Sequence, residues 1–386
     1  MPGNENIGAE EFAEVKHLFD NGACLFRHGY DQSRNGIYKV SQFEKNFSAH
    51  MGVEYSLAVS SGTAALRVAL AALDIGNGDE VITQSFTFVA TSEAIIEAGA
   101  TPVFTNISSN LNMCPLDLAN KITPNTKAII VVHMLGVPCS MTEIMHLANQ
   151  KGIPVIEDTA WGCGGKYDAN HLGTIGRMGT YSFDHAKLMT TGEGGMIVFQ
   201  HKEDYEKAAA WHDHGHENNP HLPRWKDSRS SSGFNYRMSE LQGAVGLAQL
   251  KKLNSFVKRQ RENALSIIDE LRTVNNLKIR SEPAKAFSTF DAVVFQTRSP
   301  NEAEHCRQAL INKGLSTKIL PEAITWHFAG LWEHMPQISK DNVTSLEKSK
   351  FLLQSCVSIP VLFTQQSDYA KLVKETVEKI VAANDG

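Results

Sequence analysis

Residues 127–158 read KAIIVVHMLGVPCSMTEIMHLANQKGIPVIED. Two apolar runs, IIVVHML and PVIED, flank a helix-like MTEIMHLANQKG. Neither run alternates polar with apolar residues, so both are expected as strands covered on both faces. Parallel neighbours need a crossover of about this length. The same beat continues upstream, where YSLAV, TAALRVALAAL, EVITQ, TSEAIIEAG and TPVFTNI follow one another. The fold class expected is therefore α/β, a mostly parallel central sheet flanked by helices. Downstream, a helical stretch is expected from about 238 to 272, with Leu241, Ala244, Val245 and Ala248 on one face. NLKIR and FDAVVFQTR then read as strands, AEHCRQALINKG as a helix, and the C-terminus as helical. This places a large domain at 1–254 and a smaller α/β domain at 255–386.

The 386 residues carry a net charge of −5, which argues against nucleic acid as a partner, since that footprint is basic. No apolar run approaches the roughly 20 residues that span a bilayer. The opening MPGNENIGAEEFAEVKHLF is acidic and amphipathic and does not read as a signal peptide. Six cysteines, scattered without paired spacing, read as reduced thiols. A cytoplasmic protein without a membrane partner is expected.

Three stretches carry chemistry. In VSSGTAALRVAL, residues Ser60 to Thr63 lie between a strand and a helix, where N–H groups and the helix dipole suit a phosphate. Ser-Gly-Thr is equally a good N-cap. In IPVIEDTAWG, Asp158 closes a buried strand, where ligand crevices of open α/β sheets form. Such a carboxylate can cap a helix, ligate a metal or pair with a ring nitrogen, and no companion set at metal spacing accompanies it. In SFDHAKLMTTGEGG (182–195), Lys187 stands among small and apolar residues before a glycine-rich corner. It is either an exposed loop residue or an amine whose pKa is lowered for nucleophilic work. Together the three match the needs of pyridoxal 5′-phosphate: an amine to attach it, a carboxylate for its pyridine nitrogen and a turn for its phosphate.

These stretches, with ITQSFTFVATSEAI, GATPVF, the pair His214-Gly215, GFNYRMSELQGAVGLAQL and SIPV, resemble the DegT/DnrJ/EryC1/StrS sugar aminotransferase family. The resemblance covers nearly the whole chain and implies the type I pyridoxal-phosphate aminotransferase fold. It makes Lys187 the Schiff-base lysine and Asp158 the partner of the pyridine nitrogen, the two catalytic residues. Gly62, Thr63, Ala64 and Ser182 would hold the phosphate, and Phe88 would stack on the ring. Asn235 would reach the phosphate of the other subunit's cofactor, implying a homodimer with shared active sites. Arg237 would help bind a carboxylate or a substrate oxygen, or serve only as a structural arginine.

Three residues after the aspartate the family usually has glutamine or histidine near the ring hydroxyl. Here that position is Trp161, which offers only an indole N–H. Loop residues Arg27, His28 and Arg34, and the segment 211–229 with His212, His214, His216 and Arg224, are rich in groups suited to a sugar acid or a diphosphate. The histidine alternation lacks cysteines or a preceding ligand pair, so it reads as a polar loop and no metal is expected. Within the family, MPGNENIG, EDTAWGCGG and HGHENNP point to amination of the 8-oxo form of 3-deoxy-D-manno-octulosonate for lipopolysaccharide, with L-glutamate as donor. The alternatives are a nucleotide-linked 3- or 4-ketosugar as acceptor, a sugar dehydratase, or a non-catalytic regulator.

Overall fold

The computed structural model describes residues 5–219, 221–338 and 343–383, so Met1–Asn4 of MPGNENIG and Pro220 of HGHENNP lie outside the described residues. Its main body is a seven-stranded sheet of β1 (Tyr55–Val59), β2 (Glu80–Gln84), β3 (Thr101–Thr105), β4 (Thr126–Val132), β5 (Val155–Asp158), β6 (Met178–Ser182) and β7 (Gly195–Phe199). The order across the sheet is β1-β7-β6-β5-β4-β2-β3. The β2–β3, β2–β4, β4–β5 and β5–β6 pairs are parallel; only β7 runs against its neighbours. The opening motif is thus a crossover, β4 to β5, and every residue of Ala128–Val132 and Val155–Asp158 is buried. Lack of alternation in those runs has its cause in apolar clusters on both faces, one around Ile130 and Ile156, the other around Ile129, Val131 and Val155.

Helices α1 (Ala9–Asp20), α2 (Lys39–Met51), α3 (Gly62–Ala72), α4 (Val89–Glu97), α5 (Pro115–Lys121), α6 (Met141–Lys151) and α7 (Lys202–Trp211) lead to the 32-residue α8 (Glu240–Leu271). Ser239 opens α8 with a capping box, its side chain accepting from Gln242 N while Gln242 reaches back. The expected apolar face is rotated. Ala244 and Ala248 are buried, but Leu241 and Val245 are only half-buried, and Gly243, Gly246 and Leu247 are buried instead. Helix α2 crosses against these glycines: a Cβ on Gly246 would lie 2.6 Å from the Phe43 ring. Close helix contact, more than apolar side chains, sets which face is covered.

A second, three-stranded antiparallel sheet orders β8 (Lys278–Ile279), β9 (Ala292–Gln296) and β10 (Cys356–Pro360). Its core includes Ala264, Ile267, Ile268 and Leu271, so α8 runs unbroken through the 254/255 boundary. The segment from Ile319 to Met335 instead packs on the large sheet's core through Leu320, Phe328 and Trp332.

Candidate active site

The strand ends of the large sheet surround a cavity of about 280 Å³ lined by Gly62, Thr63, Phe88, Asp158, Trp161, Ser182, Lys187 and His327, among others. Its floor is set by β5. Successive side chains on a strand point to opposite faces, and Glu157 and Asp158 divide accordingly. Glu157 is fully buried and accepts N–H bonds from Gly173, Ile175 and Gly176, with His133 Nε2 at 3.0 Å. His133 Nδ1 accepts from Cys139 N, which leaves its proton on Nε2, facing Glu157. That network fixes the strand end and delivers Asp158 to the cavity. Asp158 Oδ2 accepts from Thr91 Oγ1 (3.2 Å) and Oδ1 from Ala160 N (3.1 Å). Burial raises its pKa against those bonds and the nearby Lys187 charge.

The turn expected to seat a phosphate begins at Ser61, whose Oγ caps α3 from an extended backbone by accepting from Ala64 N at 3.0 Å. The N-cap reading of this turn is thus what the structure shows. The cap takes the third N–H, leaving those of Gly62 and Thr63 without intrahelical partners. Ala64, expected with them, has its N–H engaged by the cap and is not among the residues lining the cavity. Gly62 and Ser182 approach so closely that a Cβ on Gly62 would sit 2.7 Å from Ser182 Cβ. The glycine-rich corner serves the same seat, since a Cβ on Gly195 would meet the Ser61 carbonyl at 2.4 Å. Replacing Gly62 with alanine is therefore expected to part the two walls and weaken cofactor binding about tenfold or more, the worth of one charge-assisted hydrogen bond. Titration of cofactor-free enzyme with pyridoxal phosphate measures it.

Lys187 borders the cavity with its amine over the Trp161 ring, 3.3 Å from the centroid. Burial, against the charge of Asp291, lowers its pKa to about 8, so a usable fraction is free amine near neutrality. Phe88 keeps 39% of its surface exposed and borders the cavity as a stacking ring would.

The sequence did not reveal His327. Its segment is tied to the β2–α4 turn by Thr87 N to His327 O (3.0 Å) and Ala329 N to Ser85 O (2.9 Å). His327 Nδ1 donates to Ala323 O, and its ring tilts against Phe88 at 5.4 Å. Burial holds its pKa down at about 4, leaving it neutral. Thr91 was also missed. The run ITWHFAGLW reads as an ordinary apolar segment and carries no signal that would have flagged the first.

The substrate candidates lie elsewhere in this chain. Arg27 donates to the Ala58 carbonyl (3.0 Å) and to Glu44 (2.6 Å), and Arg34 is fully buried beside Glu240. His28 (3.3 Å), Arg224 (2.7 Å) and Arg237 all converge on buried Asp213. Burial pushes His28 down to about 3 and thus keeps it neutral. His214 and Asn235 are exposed, and Asn235 Oδ1 accepts from Arg237 N. None of Arg27, His28, His214, Asn235 or Arg237 lines the cavity. His212 is buried and His216 faces Asp227 at 3.1 Å, so the histidine alternation is largely internal rather than a surface loop.

The cavity fits pyridoxal phosphate on its own evidence: an amine without a salt-bridge partner among the described residues, a buried carboxylate among the same lining residues and a glycine turn where a Cβ would clash. Comparison with known proteins agrees. The model of the DegT/DnrJ/EryC1/StrS aminotransferase family matches residues 21–383. The chain is 39% identical over 289 residues to GDP-perosamine synthase of Escherichia coli O157:H7, covering 74% of this chain and 77% of that protein. Among solved structures it is similar to an aminotransferase from Psychrobacter cryohalolentis (27% identity, TM-score 0.87, 99% of this chain and 98% of that one). It is also similar to the aminotransferase TlmJ from Streptoalloteichus hindustanus (26%, TM-score 0.85, 99% and 98%).

Proposed function

Because the chain belongs to the DegT/DnrJ/EryC1/StrS aminotransferase family and is a pyridoxal-phosphate-dependent sugar aminotransferase, we propose that its acceptor is a nucleotide-linked ketosugar and its donor L-glutamate. The observation that carries this reading is the 39% identity to a GDP-perosamine synthase across three quarters of the chain. It favours the nucleotide-linked alternative over the free octulosonate expected from local segments.

When bound, the cofactor supplies an aldehyde for attachment and a ring that accepts electrons from the substrate carbon. The residues around it divide the remaining work. Lys187 Nζ would hold the aldehyde carbon and, as a free amine, would accept the proton of the donor's α-carbon and carry it on its ammonium. Asp158, oriented by Thr91 and Ala160, holds the proton on the ring nitrogen. Gly62, Thr63 and Ser182 bind the phosphate, and Phe88 covers one ring face.

A homodimer completes this reading. Phe26, Tyr30, Trp225 and Phe234 are exposed near Asn235 and the Asp213 cluster, an aromatic surface of the kind that marks protein contacts. A second copy seated there is what Asn235, exposed and outside its own chain's cavity, needs to reach a neighbouring one. No helix among the described residues is long and apolar enough to cross a membrane.

The test is an amination assay with glutamate, offering a nucleoside-diphosphate 4-ketosugar, its 3-keto isomer and the free 8-oxo octulosonate in parallel. The nucleotide-linked ketosugars are expected to give the higher kcat/KM. Preference for the free sugar acid would return the octulosonate assignment.

A further inference from the structure

The Lys187 ammonium faces a crowd of titratable groups yet bonds with none of them among the described residues. Asp158 looks at it from β5, Asp184 from its own loop, Glu193 from the glycine-rich corner, and Asp291, Lys318 and His327 from the smaller domain's side. The aspartates among them are engaged elsewhere. Asp158 accepts from Thr91 and Ala160, Asp184 accepts from Ala186 N, and Asp291 pairs with Lys318 at 2.5 Å. Among the described residues, no salt bridge or hydrogen bond joins Lys187 Nζ to another side chain. Its nearest partner is the face of the Trp161 indole, with the nitrogen 3.3 Å from the ring centroid. Lys318 stands 5.0 Å from the same ring, but its charge is already met by Asp291.

We propose that Trp161 is a positioning residue for the catalytic amine: its indole face seats the Lys187 ammonium whenever that amine is not joined to the cofactor. An indole is the strongest π-face among the side chains, and its pull grows in a desolvated site. A glutamine or histidine at this position would offer a hydrogen bond but no comparable face. The seat keeps the displaced lysine at one wall of the cavity and opposes the burial that drives it towards the neutral form. This deepens the reading above and rests on Lys187 being the attaching amine.

The test uses cofactor-free full-length enzyme and follows capture of added pyridoxal phosphate by its visible band, as a function of pH. Only the free amine reacts, so the capture rate rises through the amine's own titration. Tryptophan at 161 is replaced by mono- and difluorotryptophan, which keep the shape and drain the π-face, and by phenylalanine. Stabilising the ammonium raises its pKa, so weakening the seat must lower the inflection. The expected result is a stepwise fall with fluorine number, reaching about one pH unit, a tenfold gain in free amine. An inflection indifferent to fluorination would overturn the proposal, even if Trp161→Phe moved it, because that change would then be one of shape. A wild-type protein that forms no band, or a band that survives Lys187→Ala, would instead remove the lysine assignment on which the proposal rests.

Discussion

Replacing Lys187 with alanine is expected to lower turnover by about 10⁴-fold or more and to abolish the visible band of attached cofactor, while the protein stays folded. General acid–base catalysis by one positioned group contributes about 10²–10⁴-fold, and loss of covalent attachment adds to it. The fold should not suffer, because the amine makes no salt bridge and its burial is a cost that alanine removes. Lys187→Arg separates charge from chemistry. Arginine keeps the positive charge but cannot give up its proton, so it should be as inactive as alanine. Single-turnover reaction with L-glutamate, read spectrally, checks both variants. Appreciable turnover in Lys187→Arg would show that a cation, not a titrating amine, is what the site requires.

The second large effect is at Asp158. In Asp158→Asn the amide oxygen can still accept from Ala160 N, so the geometry should hold. The charge proposed to keep a proton on the ring nitrogen is lost, and a fall in kcat of about 10²–10³-fold is expected, the scale of removing one preorganised electrostatic partner. Stability should move the other way. Burial raises the Asp158 pKa, so the folded state favours the neutral acid and the ionised form costs stability at pH values above that raised pKa. Asp158→Asn removes the cost, and the cofactor-free variant should melt higher than wild type at pH 7 to 8. At pH 4, where the wild-type carboxyl is closer to neutral, the gap should narrow. A variant that melts lower at every pH would mean that the carboxylate's bonds outweigh its burial.

Much of this site was legible because its parts are local. The beat of buried strands and helices carries Asp158 to a strand end, and the residue types flanking Lys187 and Gly62 point to an amine and a phosphate seat. What could not be read depends on pairing across distance. Arg27 looks free in sequence, but its partners Glu44 and Ala58 are visible only once α2 lies beside β1. Arg237, Arg224 and His28 each look available, yet one buried aspartate holds all three. His327 gave no periodic signal because its place comes from main-chain bonds to the distant turn at Thr87 and Ser85. Ala64 looks as free as its neighbours in the sequence, but its N–H is engaged by the Ser61 cap.

Helix α8 also constrains how the molecule can move. Its first half lies with the large sheet's helices and its second half forms part of the smaller sheet's core. A hinge between the two bodies would have to bend or unwind a continuous column of backbone hydrogen bonds, and such bends in helices have identifiable causes. No proline interrupts it, and its two glycines, Gly243 and Gly246, lie pinned against α2. Entry and exit of a bulky acceptor are therefore work for the loops that rim the cavity, with the column acting as a spine that keeps Lys318 and Asp291 in register with the lysine they surround.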